Sequence, residues 1–179
     1  MCGIVGIISK DKDVAPLLVE GLKRLEYRGY DSAGVATLQG GKLERRRAEG
    51  KLINLAEKLE KQPLGGSIGI GHTRWATHGG AVEKNAHPHI TDSVAVVHNG
   101  IIENYQELKE ELEKSQFRFE SDTDTEVIAH LVTYYIRQGM TPQNAVDASL
   151  KRLRGAFSLA MIFTGHEDLM IGARFGTPL

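Results

Sequence analysis

Runs of apolar and β-branched residues alternate with amphipathic segments along this chain. Runs such as IVGIIS and VAVVH lack polar breaks, which is typical of strands buried on both faces. The predicted strands cover 4–9, 33–38, 42–47, 67–73, 94–98, 156–163 and 168–173. Leu, Val and Ile recur at helical spacing elsewhere, and the predicted helices cover 13–28, 51–61, 103–114 and 124–138, with another opening at Thr141-Pro142.

The order of these elements predicts the fold class. They do not alternate strictly as βαβ units do, so we expect an α+β fold with a layered αββα architecture. The polar stretch 74–93 has no periodicity of its own, and loops of that length are usually functional or mobile. No internal repeat or linker interrupts the chain, which favours one domain over residues 1–179. Its end shortly after a strand suggests a domain taken from a longer protein.

Composition excludes several classes of function. Lys and Arg number 22 against 23 Asp and Glu, so the net charge of −1 gives no reason to expect nucleic acid or an anionic membrane as a partner. A single cysteine excludes an intrachain disulfide. The sequence holds no apolar run long enough for a transmembrane helix, and its start lacks the basic region of a signal peptide. We therefore expect a cytoplasmic domain.

The position of that cysteine is the first chemical signal. Removal of Met1 would leave Cys2 at the N-terminus, with a thiol and a free α-amine on one residue. Such a residue combines a nucleophile with its own general base, as N-terminal threonine does in other enzymes. The alternative is that Cys2 is a small apolar residue near a chain end.

The segment His72–Gly79 predicts a binding loop. Arg74 suits bidentate capture of a carboxylate, Thr77 and His78 can add hydrogen bonds, and Trp75 can cover a bound ligand. A surface loop with an arginine salt bridge is the alternative, and the segment alone does not decide between them.

Asn99-Gly100 follows a buried strand and is typical of a type I′ hairpin turn. The same pair could form an oxyanion hole, with the Asn99 amide and the Gly100 N–H as donors. Helix caps are expected at Asp13 and at Asp122 or Thr123.

Five of the seven histidines lie between residues 72 and 98, which raises the question of a metal site. Their spacing fits neither HExxH nor a Cys/His finger, so hydrogen-bonding or core histidines are favoured and no metal is expected. No phosphate-binding loop or dinucleotide fingerprint is present, and no cofactor is expected.

Several segments together resemble one family. They are LEYRGYDSAG (25–34), HTRWATHG (72–79), NAHPH (85–89), VVHNGIIEN (96–104) and SDTDTEVIAHL (121–131). The resemblance extends over essentially the whole chain and is to the class II glutamine amidotransferases, which are N-terminal-nucleophile hydrolases. The arginine–tryptophan loop favours the glutaminase domains of the hexosamine-forming branch over the phosphoribosylpyrophosphate amidotransferases.

The resemblance implies a four-layer αββα sandwich with two antiparallel sheets. It implies that Cys2 is the nucleophile with its α-amine as base, and that Asn99 and Gly100 form the oxyanion hole. The residues implied in glutamine binding are Arg74, Trp75, Thr77, His78, Asp124 and, near the closed site, Arg28. Asp124 would bind the α-amine of glutamine.

The activity implied is hydrolysis of glutamine to glutamate and ammonia through a thioester on Cys2. In the longer protein the ammonia would pass to a C-terminal sugar-isomerase module, which makes glucosamine 6-phosphate from fructose 6-phosphate, and that protein would be a homodimer. Three alternatives stay open. They are the glutaminase domain of another class II amidotransferase, a glutamine-binding module without turnover, and a metal-dependent hydrolase built on the histidines.

Overall fold

The computed structural model describes residues 2–76 and 78–177, with the Arg28 side chain left out. The strands within these residues are β1 (Gly3–Ile8), β2 (Ser32–Gln39), β3 (Lys42–Glu49), β4 (Ile68–Arg74), β5 (His89–Ile90), β6 (Val94–Ile102), β7 (Gly155–Phe163) and β8 (His166–Phe175). The α-helices are α1 (Ala15–Lys23), α2 (Leu52–Lys61), α3 (Tyr105–Lys114), α4 (Thr125–Arg137) and α5 (Pro142–Leu150). No helix among these residues is long and apolar enough to cross a bilayer.

The strands form two antiparallel sheets that pack face to face. The first has the order β1-β4-β2-β3 and the second β5-β6-β7-β8. Helices α1 and α2 contact the first sheet, and α4 contacts the second and packs against α3 and α5. The layers are therefore helix, sheet, sheet, helix, and the predicted αββα sandwich is confirmed.

Successive side chains of the central strands point to opposite faces of the sheet, so they pack into different apolar cores between the layers. In β6, Val94 and Val96 pack towards the helices, whereas Ala95 and Val97 pack between the sheets. Strands β7 and β2 divide their side chains in the same way. Both faces are buried, so these strands are apolar without a break, as the sequence pattern predicted.

The predicted hairpin turn at Asn99-Gly100 is wrong. Both residues lie within β6, opposite Ser158 and Phe157 of β7. Gly100 has φ +125°, and a Cβ there would lie 2.1 Å from the Ala156 carbonyl oxygen. The glycine is thus required by a close backbone approach inside a strand, not by a turn, because nonlocal pairing with β7 overrides the local signal.

The helix caps also differ from the prediction. Helix α1 begins at Ala15, and the Asp13 carboxylate instead accepts a hydrogen bond from Gly66 N, 53 residues away. It ends at Lys23, and a separate 3-10 turn, Glu26–Arg28, leads to Gly29. Helix α4 has Asp124 at its N-cap position, and no side-chain capping bond is formed there. The Thr141 cap of α5 is confirmed, since its side chain accepts from Asn144 N.

The stretch 74–93 is organised by contacts with the edge strand β3. It contains a 3-10 turn, Glu83–Asn85, and the short strand β5. Arg47 Nη1 donates to the carbonyl oxygens of Lys84 (3.1 Å) and Ala86 (2.9 Å). The three consecutive arginines of β3, Arg45, Arg46 and Arg47, are partly buried.

Candidate active site

A cavity of about 620 Å³ lies where one end of both sheets meets the start of α4. Seven of the predicted site residues line it, namely Cys2, Arg74, Trp75, His78, Asn99, Gly100 and Asp124. Cys2 precedes β1, Arg74 ends the neighbouring β4, Asn99 and Gly100 lie in β6, and Asp124 precedes α4. The facing sheets thus bring together residues as far apart in the sequence as Cys2 and Asp124, which are 122 positions apart.

The Cys2 sulfur contacts both backbone polar groups of Trp75. Trp75 N donates to Sγ at 3.2 Å, and the thiol can donate to Trp75 O at 3.6 Å. Cys2 is half-buried, so the sulfur is held by the loop after β4 while it faces the cavity. The backbone of Trp75 thus fixes the position of the sulfur.

The Asn99 side chain is oriented by a buried histidine. His72 Nε2 lies 2.8 Å from Asn99 Oδ1, which can only accept, so His72 carries its proton on Nε2. Asn99 Nδ2 is thereby turned towards Cys2, with the Cys2 carbonyl oxygen 3.5 Å away. Burial lowers the pKa of His72 to about 3, so the imidazole is neutral at physiological pH.

The Arg74 guanidinium is buried and already fully engaged at its two terminal nitrogens. Nη1 donates to Gly80 O at 3.1 Å and lies 3.5 Å from Asp31 Oδ1, while Nη2 donates to the carbonyls of His78 and Gly79. Asp31 also accepts from Ala76 N. Arg74 and Asp31 therefore define the path of the loop that contains Trp75.

Asp124 lines the cavity, and one of its two carboxylate oxygens accepts a hydrogen bond within the described residues. Its Oδ2 accepts from Ile102 N at 2.8 Å, and its Oδ1 lies 4.0 Å from His98 Nδ1. His98 Nδ1 bonds Thr125 Oγ1 at 2.9 Å, and burial lowers the His98 pKa to about 4. Because His98 is neutral, the Asp124 charge is not neutralised by it.

Trp75 covers one side of the cavity and is 54% exposed. Its ring lies against Gly29, where a Cβ would come within 2.8 Å of the indole. Three predictions fall outside what the structure describes: removal of Met1, the role of Thr77, and the side chain of Arg28, whose backbone ends the 3-10 turn before Gly29.

The arrangement of nucleophile, amide donor and buried carboxylate agrees with the comparison to known proteins. A family model described as a glutamine amidotransferase domain matches residues 72–177. The chain belongs to the glutamine amidotransferase family. A solved structure supports this: the B. subtilis glutamine phosphoribosylpyrophosphate amidotransferase complexed with ADP and GMP. The alignment covers 97% of this chain and 37% of the B. subtilis chain, with a TM-score of 0.80 and 29% sequence identity.

Similar sequences are found in much longer proteins. Glutamine–fructose-6-phosphate aminotransferases of Mesorhizobium japonicum and Brucella suis are 63% and 64% identical to this chain over all 179 residues. The chain spans 29% of the length of each of these relatives.

Four histidines of the amidotransferase domain form a buried cluster, His72, His87, His89 and His98, and two of them, His87 and His98, line the cavity. The His87 ring centroid lies 4.2 Å from that of His72, 5.0 Å from His89 and 6.4 Å from His98. Burial lowers the pKa of all four, to about 3 for His72 and His89. Over the described residues no group of His, Cys, Asp and Glu side chains is arranged to hold a metal ion.

Sequence reasoning did not assign roles to His72, Asp31, His98 or Thr125 in this site. His72, Asp31 and His98 each approach a predicted residue from a distant segment, as His72 does with Asn99, 27 residues away, and Thr125 bonds His98. Their residue types and positions in the sequence do not indicate these partners.

Proposed function

We propose that this chain hydrolyses the side-chain amide of L-glutamine, with Cys2 as the nucleophile. The observation that carries the proposal is the position of Cys2 Sγ, 3.2 Å from Trp75 N in a cavity that Asn99, Gly100 and Asp124 also line. The thiolate attacks the amide carbon, ammonia leaves, and water hydrolyses the γ-glutamyl thioester to glutamate. The Cys2 α-amine, free once Met1 is removed, takes the thiol proton and returns it to the leaving nitrogen.

Two donors near the sulfur support an oxyanion hole. Asn99 Nδ2 is directed towards Cys2 by the His72 hydrogen bond. Strand β5 pairs β6 only at Ala95 and Val96, so the edge beyond them has no strand partner. On that edge His98 N donates to His87 and Ile102 N donates to Asp124.

The N–H groups of every second residue in a strand point to the same edge, so we expect the Gly100 N–H on this edge, midway between those two donors. Gly100 also lines the cavity. In this proposal the Asn99 and Gly100 donors hold the charge that develops on the amide oxygen. A single donor of this kind contributes about 10²–10³ to the rate in comparable sites.

The two ends of a free amino acid fit the two charged groups of the cavity. We assign the α-ammonium to the Asp124 carboxylate and the α-carboxylate to Arg74. Because the Arg74 terminal nitrogens hold the loop carbonyls of residues 78–80, the carboxylate must take the place of some of them. Glutamine binding should therefore move this loop. We place Thr77 and His78 beside the bound glutamine, and we place Trp75 and Arg28 at the edge of the closed site.

In the longer protein this chain would be the glutaminase domain. The names of its relatives support transfer of the ammonia to a C-terminal isomerase module that converts fructose 6-phosphate to glucosamine 6-phosphate. We propose a cytoplasmic homodimer for that protein, with neither nucleic acid nor membrane as partner.

Ammonia release from glutamine tests the hydrolysis directly. The chain contains one cysteine, so Cys2→Ala removes every thiol and should abolish turnover, while calorimetry should still detect glutamine binding through Arg74 and Asp124. Equal ammonia release by both proteins would overturn the proposal, and a wild type that binds glutamine without turnover would leave a binding module. Acetylation of the Cys2 amine in processed protein should also stop turnover, and an undiminished rate would remove the amine as base.

A further inference from the structure

A second cavity, of about 370 Å³, lies between the edge strand β3, β5 and α4. None of its described lining residues also lines the candidate active site. Five cationic side chains line it against three carboxylates: Arg45, Arg47, Lys84, Arg118 and Arg137 against Asp92, Glu120 and Glu126. The cavity lining therefore holds more cationic than carboxylate side chains.

Two of these carboxylates are committed to other partners. Asp92 pairs with Arg137 at 2.8 Å. Glu126 accepts from Glu120 N at 2.9 Å and from both the N–H and the hydroxyl of Ser121 at 2.7 and 2.6 Å. Asp92 and Glu126 thus form no hydrogen bond or ion pair with the arginines of β3 among the described residues.

Three arginines of the lining have no ion pair closer than 3.9 Å among the described residues. Arg47 donates to the carbonyls of Lys84 and Ala86, and no ion pair is formed. The Arg45 ion pair is with Glu120 at 3.9 Å, and the Glu120 side chain is 80% exposed. Arg118 is exposed and forms neither a hydrogen bond nor an ion pair through its side chain within the described residues.

The local environment makes these charges costly. Arg45 and Arg47 are two positions apart on β3 and therefore lie on the same face of the strand. Burial lowers the pKa of Arg47 to about 10, with the Arg45 charge as the next cause. Both ring nitrogens of His130 are also buried without a hydrogen bond inside the described part, although Nε2 lies 3.4 Å from Glu126 Oε1.

We propose that this cavity binds a small phosphorylated anion of the phosphate-monoester class through Arg45, Arg47 and Arg118. Guanidinium groups match phosphate oxygens with paired, charge-assisted hydrogen bonds. The volume is within the range of small-molecule sites and leaves room for a short organic group beside the phosphate. The ligand's negative charges would offset the repulsion between the two half-buried arginines.

The test is titration of the 179-residue chain with inorganic phosphate and with glycerol phosphate, at constant ionic strength in chloride. Calorimetry and phosphorus NMR line widths should show one saturable site for each probe. Arg118→Gln should weaken binding about threefold and Arg45→Gln about tenfold, since each removes charge-assisted hydrogen bonds. Arg24→Gln is the matched control, because Arg24 is exposed, does not line the cavity and should leave both affinities unchanged.

Two results would overturn the proposal: no saturable binding to the wild type, or equal weakening by Arg24→Gln and Arg118→Gln, which would indicate attraction to net charge alone. Arg118 is exposed, so its variant decides the question even if Arg45→Gln fails to fold. Cys2→Ala should bind both probes normally, because Cys2 is not part of this cavity, and the outcome is therefore independent of glutamine hydrolysis.

Discussion

Replacement of His72 by phenylalanine should slow turnover without weakening glutamine binding. The change removes the Nε2 donor that orients the Asn99 amide at 2.8 Å, but keeps a flat ring against His87. His72 does not line the cavity, so no contact with glutamine is lost. The expected result is a lower kcat with an unchanged KM, because the amide matters only when charge develops on the substrate oxygen.

The magnitude follows from the bond that is lost. A buried hydrogen bond contributes about 0.5–1.5 kcal/mol net to stability, and leaving a buried acceptor unpaired costs about 1–3 kcal/mol. This cost favours rotation of the Asn99 side chain away from Cys2, towards another partner for its oxygen. Complete loss of an oxyanion donor costs about 10²–10³ in rate, and this is the upper limit. We therefore expect kcat to fall about tenfold to a hundredfold.

His72→Gln is the matched control for this experiment. The glutamine Nε2 lies near the position of the histidine Nε2 and can donate to Asn99 Oδ1, so most of the rate should return. Steady-state ammonia release and urea unfolding of all three proteins are the measurements. The reasoning fails if His72→Phe keeps the wild-type kcat, or if His72→Gln is as slow as His72→Phe although both are folded.

Three more predictions concern the loop, strand β6 and the histidine cluster. Arg74→Lys should raise KM for glutamine more than it lowers kcat, because a point charge replaces a planar fork; an unchanged KM in ammonia-release kinetics would contradict the assigned role. Gly100→Ala should lower the free energy of unfolding by more than about 3 kcal/mol, because the new Cβ would collide with the Ala156 carbonyl oxygen. Gly139 is also at positive φ but in open space, so Gly139→Ala should lower it by only about 1 kcal/mol; urea unfolding measures both. The histidine cluster stays neutral in the folded state, whereas in the unfolded state the same histidines bind protons below about pH 6.5. The free energy of unfolding should therefore fall as pH drops from about 6.5 towards 4, by up to about 1.4 kcal/mol per pH unit for each histidine. His166→Gln, at an exposed position, should leave this slope in urea unfolding unchanged.

The layered fold could be predicted because its signals are local. Each central strand is apolar on both faces over five to nine residues, and the helices between them show one apolar face. The failures occurred where a distant partner decides the conformation. Asn99-Gly100 has the composition of a turn, yet its pairing with Ser158 and Phe157 continues the strand. Asp13 has the position of a cap, yet its carboxylate bonds Gly66.

The candidate site shows the same division between what residue types indicate and what only packing determines. The chemistry of Cys2, Arg74 and Asp124 follows from their functional groups, and their segments could be recognised from the sequence. The partners that position them could not be predicted, since His72 meets Asn99 and Asp31 meets Arg74 only after the sheets have formed. A residue type thus indicates what a group can do, and the fold decides where it points.

The separation of the two sheets is what ties this chemistry to the core. Cys2 directly precedes β1 and Arg74 ends β4 of the first sheet, whereas Asn99 and Gly100 lie in β6 of the second, so the distance between the Cys2 sulfur and the Asn99 amide depends on the separation of the sheets. That distance is set by the side chains packed between the sheets, which include the small residues Ala36, Ala95 and Ala160 beside larger Ile and Val. Because such interiors are close-packed, an added methylene there must push the sheets apart rather than fill empty space. The proposed reactive geometry therefore depends on residues that do not line the cavity.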